Sequence, residues 1–430
     1  MRRTLAVLLS VLFVDQMNAG MLLPVLPALF TDAESPALLV DAADAGSTGV
    51  LLVAVLGAAF AVPAFLSQPV LGQLADRRGR RPLLLLAFSG SAASYVLFAW
   101  GAMAESVVLL VASRVVDGLT AGNVVVAQAA VADLTDDDER TRYFGYFTAA
   151  LSLGFVAGPL LGGFLGDPEG PGWTGPATAF WAAAALNAVV VAAFAALFRE
   201  TLDDDDRADD DGFRLGQAFA DARDAARDEH RRPVYLVLLL YVAGYAFFTT
   251  FYNVVLEDRV EMGTREVGVF FAVLGAGFMV VQLFLVDRVE RWLGPAKAVG
   301  GALFLTGASI AVAALATAPW MAYAVVPVFA LGNGLVEPLV ASVISRSAGG
   351  GEQGRVQGVR GSVDALGRTG PPFLAGPLAA LGSPVWPVLV GAGFVAAAGG
   401  AAVLAVAGGD NAAAEADEDA GGADEDESDE

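Results

Sequence analysis

Asp15 lies about ten residues into an apolar run that opens at residue 5, and Arg114 and Asp117 stand about one helical turn apart in another run. Glu337 interrupts a third run. Asp364 and Arg368 occupy a fourth, four residues apart in the order that favours an intrahelical ion pair. An ionisable side chain at mid-membrane costs at least about 2.5–3.5 kcal/mol, so such residues are retained for function or for mutual pairing. Away from water the charged form of a carboxyl is disfavoured, so the group can load and release a proton as its access changes. Asp15 has no basic residue within a helical turn and suits that role, whereas Asp364 and Arg368 read as a structural pair. The neutral polar groups Gln16, Asn18, Asn123, Gln128, Asn187, Gln282 and Asn333 are candidates to line one cavity with Asp15, Arg114, Asp117 and Glu337.

Other chemistries are poorly served. The chain has no cysteine, so thiol chemistry and disulfides are excluded. Its one histidine, His230, lies in a hydrophilic stretch, so no histidine cluster can bind a metal. There is no nucleophile–histidine arrangement and no phosphate loop. The expectation is no enzyme, no cofactor and no metal, with ion coupling carried by carboxylates and by protons or sodium ions.

These residues must be held by elements that cross a membrane. Hydrophobic residues make up 56% of the chain, well above a globular average of about 45–50%. They cluster near 5–30, 49–71, 82–102, 107–131, 143–166, 177–198, 233–256, 266–287, 296–317, 320–343, 356–380 and 385–408. Each run is long enough to cross about 30 Å of hydrocarbon as a helix. The first run is too long for a signal peptide and contains Asp15, Gln16 and Asn18. An all-α membrane protein of twelve transmembrane helices is expected.

Basic residues set the orientation. With the N-terminus in the cytoplasm, Arg77, Arg78, Arg80, Arg81, Arg140, Arg142, Arg288, Arg291, Lys297, Arg346, Arg355 and Arg360 all fall on that side, and the opposite loops hold only Arg259 and Arg265. Both termini are therefore expected in the cytoplasm of a multi-pass cell-membrane protein. A hydrophilic linker at 199–232, with acidic runs and then Phe213, Leu215 and Phe219 on one side of a possible amphipathic helix, separates a six-helix bundle at 1–198 from another at 233–408. Residues 409–430, rich in Ala, Gly, Asp and Glu, read as a disordered acidic tail. The excess of 47 acids over 25 bases, with Lys297 the only lysine, resembles the composition of haloarchaeal proteins.

The two halves repeat at offsets of 210 to 213 residues. Glu139, Arg142 and Gly145 recur as Glu352, Arg355 and Gly358; Gly158-Pro159 as Gly370-Pro371; Gly122-Asn123 as Gly332-Asn333; and Asp76-Arg77 as Asp287-Arg288. A parallel six-span repeat places a substrate site between the halves. Between the second and third spans lies Gly72-Gln-Leu-Ala-Asp76-Arg77-Arg-Gly79-Arg80-Arg81, an ordered mixture of glycine, acid and base beyond what a topogenic loop needs. The fifth span carries Gly154, Gly158, Pro159, Gly162 and Gly163, small residues that admit close helix approach around a proline.

The 72–81 loop resembles the signature loop of the major facilitator superfamily, and the 154–163 pattern resembles the antiporter motif of drug:proton antiporters. Asp15 with Gly20 and Pro24-Val-Leu-Pro27, Arg114-Val-Val-Asp-Gly118, the stretch Ala132-Asp133 to Glu139-Arg140, and Ala182 to Asn187 follow the bacterial tetracycline efflux proteins nearly in order, while Leu256-Glu257-Asp258-Arg259 and the Gln353-to-Gly358 loop echo them more loosely. The resemblance implies the major facilitator fold, with two six-helix bundles related by a parallel repeat. It implies proton-coupled efflux of a small amphipathic or organic, drug-like solute, with Asp15 and Arg114 in coupling and substrate contact, and a monomer is expected. By the same resemblance Gly72, Asp76, Arg77, Gly79, Arg80, Arg81 and Asp133 serve a cytoplasmic gate. The competing readings are a symporter or uniporter of the same fold for a sugar or metabolite, and a non-transporting receptor or scaffold. Partners are a small-molecule substrate, a coupling ion and the lipid bilayer, with no nucleic acid.

Overall fold

A computed structural model describes residues 2–41, 45–135, 137–202, 231–346, 353–380 and 383–426. The expected amphipathic helix of the linker, His230 and the last residues of the tail lie outside these, as do the side chains of Glu139, Arg140, Arg142 and of residues 353–358. The described elements are α1 (Arg2–Gly20), α2 (Leu22–Phe30), a π-turn (Ala45–Gly49), α3 (Val50–Arg78), α4 (Arg80–Met103), α5 (Val107–Leu119), α6 (Asn123–Asp133), α7 (Asp137–Gly166) and α8 (Pro176–Leu197). The second half continues with α9 (Arg232–Asp258), α10 (Thr264–Phe284), α11 (Val286–Leu293), α12 (Pro295–Ala314), α13 (Pro319–Arg346), α14 (Gln353–Ala380) and α15 (Val385–Asp426).

Among the described residues, eleven spans are apolar and long enough to cross a bilayer, with α1 and α2 forming one and α5 and α6 another. The expected twelfth, α14, holds Arg355, Arg360, Asp364 and Arg368, and this charge keeps it off that set. It nonetheless packs along both α3 and α9 as a full member of the bundle. The last helix runs on past residue 408 to Asp426, where the sequence suggested a disordered tail. The alanines and glutamates there favour helix, whereas the glycines, aspartates and asparagine do not.

The internal repeat reappears in the packing. In the first half α1 lies on α7, α3 on α5, and α4 on both α5 and α8; in the second half α9 lies on α14, α10 on α13, and α12 on both α13 and α15. Where the halves meet, α7 packs on α10 and α3 on α14, an exchange of equivalent helices. Aromatic rings fill the interior of each half, with Phe98 against Phe180 at 4.0 Å in one and Phe248 against Tyr252 at 4.7 Å in the other. The exterior is apolar, with Val108, Val189, Leu197 and Leu404 exposed. All six tryptophans, Trp100, Trp173, Trp181, Trp292, Trp320 and Trp386, are exposed and sit at or near span ends, the level of a membrane interface.

For reference, the end of the bundle holding the 72–81 loop is termed the motif end, and the end holding residues 258–264 the distal end. Among the described residues, contacts between the halves run from Gln282, two residues short of the motif-side end of α10, to the distal end. Ser152 donates to Gln282 at 3.3 Å, Thr369 reaches the Ala61 carbonyl at 3.5 Å, and Asn253 donates to the Leu23 carbonyl at 2.9 Å. Arg265 approaches Asp167 at 4.0 Å and covers the Phe164 ring.

Candidate functional site

Asp15 is buried on α1, and the Asn123 amide donates to its carboxylate. Asn123 is the first residue of α6, where three residues outside helix, Thr120 to Gly122, break the fourth span. That break turns the amide toward α1. One turn before it on α5, Arg114 pairs with Asp117 at 2.9 Å, both side chains buried. Arg114 also lies 4.8 Å over the Phe60 ring of α3, and the Ser91 hydroxyl of α4 sits beside Asp117. Asp117 is close enough to Asp15 for the two carboxylates to repel. Two acids, one base and one amide therefore share a buried region, an arrangement in which one added proton relieves like-charge repulsion.

Not every amide expected in this cavity faces it. Asn18 turns to α8 and donates to the Ala183 carbonyl at 3.4 Å, near Asn187, whose amide atoms have no partner among the described residues. Gln128 is exposed on α6, about 140° around the helix from Asn123.

A second polar group lies in the other half. Asp364 and Arg368 form the expected bidentate pair at 2.8 and 3.2 Å. Glu337 on α13 contacts Arg360 at 3.2 Å, and Tyr241 donates to Asn333 at 3.1 Å with Tyr245 beside it. Arg368 is surrounded by protein yet its side chain is 51% exposed, and Glu337 is 55% exposed, as cavity-lining residues are. The two groups approach through neighbours, since Phe60 carries Arg114 and the next residue, Ala61, receives Thr369, which follows Arg368.

At the motif end Arg80 is buried and bridges two acids, Asp76 one turn away and Asp133 on α6 at 3.0 Å. Gly79 has φ +97° and ψ 159°, a conformation essentially reserved for glycine, and it lets α4 start immediately after α3. Glu200 completes this corner. Its carboxylate accepts from the backbone N–H of Arg80 at 2.8 Å and of Arg81 at 3.1 Å, filling orphan donors at the positive end of α4. Arg81 in turn donates to the Ala195 carbonyl at 2.6 Å. Glu200 was missed in the sequence because it stands 120 residues from its partner in a charged stretch that reads as linker. A Cβ on Gly72 would meet only Val125, at an ordinary contact distance of 3.7 Å.

The fifth-span motif is a contact surface on two sides. A Cβ on Gly158 would lie 2.9 Å from the Gly20 Cα, and one on Gly162 would lie 2.7 Å from the Met21 Cα. On the other side Gly163 meets α10 across the halves, where a Cβ would lie 3.0 Å from both the Gly268 Cα and the Thr264 carbonyl oxygen. Pro159 sits within α7 between these two seams.

Comparison with known proteins decides the family, because the major facilitator superfamily matches residues 8–372. The chain belongs to the major facilitator superfamily. This transporter is 30% identical over 387 residues to the tetracycline resistance protein, class C, of Escherichia coli, covering 89% of this chain and 91% of that one. It is 28% identical over 376 residues to multidrug resistance protein 2 of Bacillus subtilis, covering 86% and 87%. The crystal structure of the human organic anion transporter MFSD10 (TETRAN) is similar with a TM-score of 0.70 and 25% identity, over 93% of the transporter and 99% of that chain. The fold expected from the sequence, an all-α major facilitator, is thereby established.

Proposed function

We propose that this transporter is a proton-driven antiporter that exports a small amphipathic organic solute from the cytoplasm by alternating access. The single observation that carries the reading is the buried Asp15–Asn123 contact beside the Arg114–Asp117 pair, within a chain whose relatives include tetracycline and multidrug resistance proteins. A carboxylate held by a neutral amide, with a second acid close by, exchanges a proton at lower cost than one locked to a cation. Arg114 remains charged throughout and takes Asp117 as its partner whenever Asp15 is neutral.

In this reading the motif end faces the cytoplasm, as the basic residues imply, and both termini lie there. Arg80 with Asp76 and Asp133 holds that gate, and Gly154 to Gly163 form the pivot on which α7 moves against α1 and α10. Glu337, Asn333 and Arg368 contribute the substrate-facing side of the cavity. The test is a growth-inhibition panel of amphipathic drugs and metabolites on cells with and without the protein. Protection against at least one such compound supports export, and heightened sensitivity across the panel supports the symporter or uniporter alternative.

A further inference from the structure

Glu257, one turn beyond Asn253 on the same face of α9, is 9% exposed and has no role in the account above. Neither of its carboxylate oxygens lies in hydrogen-bond geometry with a donor among the described residues. It lies where the end of α9 packs against the end of α2, with the Thr31 side chain beside it. The Thr31 hydroxyl is already directed to the Pro27 carbonyl. The charged groups acting on Glu257 are Asp32 on one side of the seam and Asp258 on the other, both acids. Of the nearby cations, Arg259 is exposed on its own turn, and Arg265 on α10 is taken up by Asp167 and Phe164. Glu266 faces the Gly263 backbone N–H, and the distal ends of α14 and α15 carry no charge.

We propose that Glu257 is a proton-binding site on the distal seam, neutral while the halves are closed there and ionised when they part. A buried carboxylate without a cation, with only the Thr31 hydroxyl beside it and two other acids nearby, is far costlier than the neutral acid in the same place. Parting the seam gives Glu257 water, and once charged it repels Asp32 across the gap. Closure therefore takes up a proton at a point remote from Asp15. By linkage, low pH on the distal side favours the closed seam and high pH the open one. This holds whatever solute the cavity accepts.

The reporter is a single cysteine at Thr264, which is buried against Gly163 of the other half in a chain with no native cysteine. In proteoliposomes, maleimide labelling at this site is measured against pH after correction for the reagent's own pH dependence with the exposed Asp41→Cys variant. The labelling rate rises with pH, by up to about tenfold per unit through the range where Glu257 ionises. Glu257→Gln flattens the rise, and Glu257→Asp retains it. Asp32→Asn keeps Glu257 but removes one facing charge, so the rise moves to lower pH. A rise that survives Glu257→Gln overturns the proposal. If that variant does not fold, a rise left in place by Asp32→Asn overturns it instead.

Discussion

The Asn123 amide donates to the Asp15 carboxylate, tying the middle of the first span to the break in the fourth. This contact joins a buried acid on α1 to the span that also carries Arg114 and Asp117, and in the proposed cycle it makes that acid part of a switch. Removing the amide keeps the carboxyl group but takes away a donor that supports its charged form. Asn123→Ala is expected to lower substrate-driven proton movement by roughly tenfold, the worth of one hydrogen bond to a charged group. Proton flux in vesicles, normalised to protein amount, checks it; an unchanged rate would separate Asn123 from coupling.

The Arg114–Asp117 pair is buried, so each partner alone is a liability. Arg114→Gln or Asp117→Asn should each cost about 3–5 kcal/mol of stability by leaving one uncompensated charge. The double variant should regain most of that loss. Thermal unfolding in detergent distinguishes this from additive losses, which would mean the two side chains do not depend on one another.

Asp364 and Arg368 behave differently because the pair is 32% and 51% exposed. The i, i+4 spacing made the pair legible in the sequence, but its access to solvent was not. Breaking it should cost only about 0.2–1 kcal/mol, the range of exposed pairs. Asp364→Asn is therefore expected to change which solutes are carried while leaving the melting temperature nearly unmoved. A large loss of stability would place the pair out of solvent.

Much of the fold could be read in advance because the signals were local. Twenty-residue apolar runs, repeated at a constant offset, require spanning helices in two equivalent bundles. The chemistry-bearing residues on those helices were also visible, since a charge in an apolar run stands out. What escaped was relational. Glu200 caps α4 from far along the chain, Asn18 turns to α8 although it is one turn from Asp15, and Glu257 is buried although the next two residues, Asp258 and Arg259, are exposed. Spacing along one helix fixes a face, whereas the helix opposite that face is set by packing.

The corner at Gly79 offers a test of the gate. A side chain there meets both an unfavourable backbone and the Glu200 carboxyl, whose Cδ would lie 2.7 Å from the new Cβ. Gly79→Ala should cost about 1–3 kcal/mol from the backbone alone. Glu200→Gln loses the charge and one of the two acceptor oxygens, leaving either the Arg80 or the Arg81 N–H without its partner, and should weaken the cap by about 1–3 kcal/mol. Asp76→Asn should slow transport with expression intact, since Arg80 then holds only Asp133. Transport at the normal rate in Asp76→Asn would leave the loop with a topological role only.

Asp15 is the residue on which the proposed proton coupling depends most directly. Inverted vesicles with an imposed proton gradient, acidic inside, should lose part of that gradient when a transported amphipathic drug is added, as protons leave in exchange. Asp15→Asn should abolish the drug-driven loss while Asp364→Asn preserves it. Full drug-driven exchange in Asp15→Asn, together with its loss in Asp364→Asn, would contradict the assignment and move the coupling site to the second half.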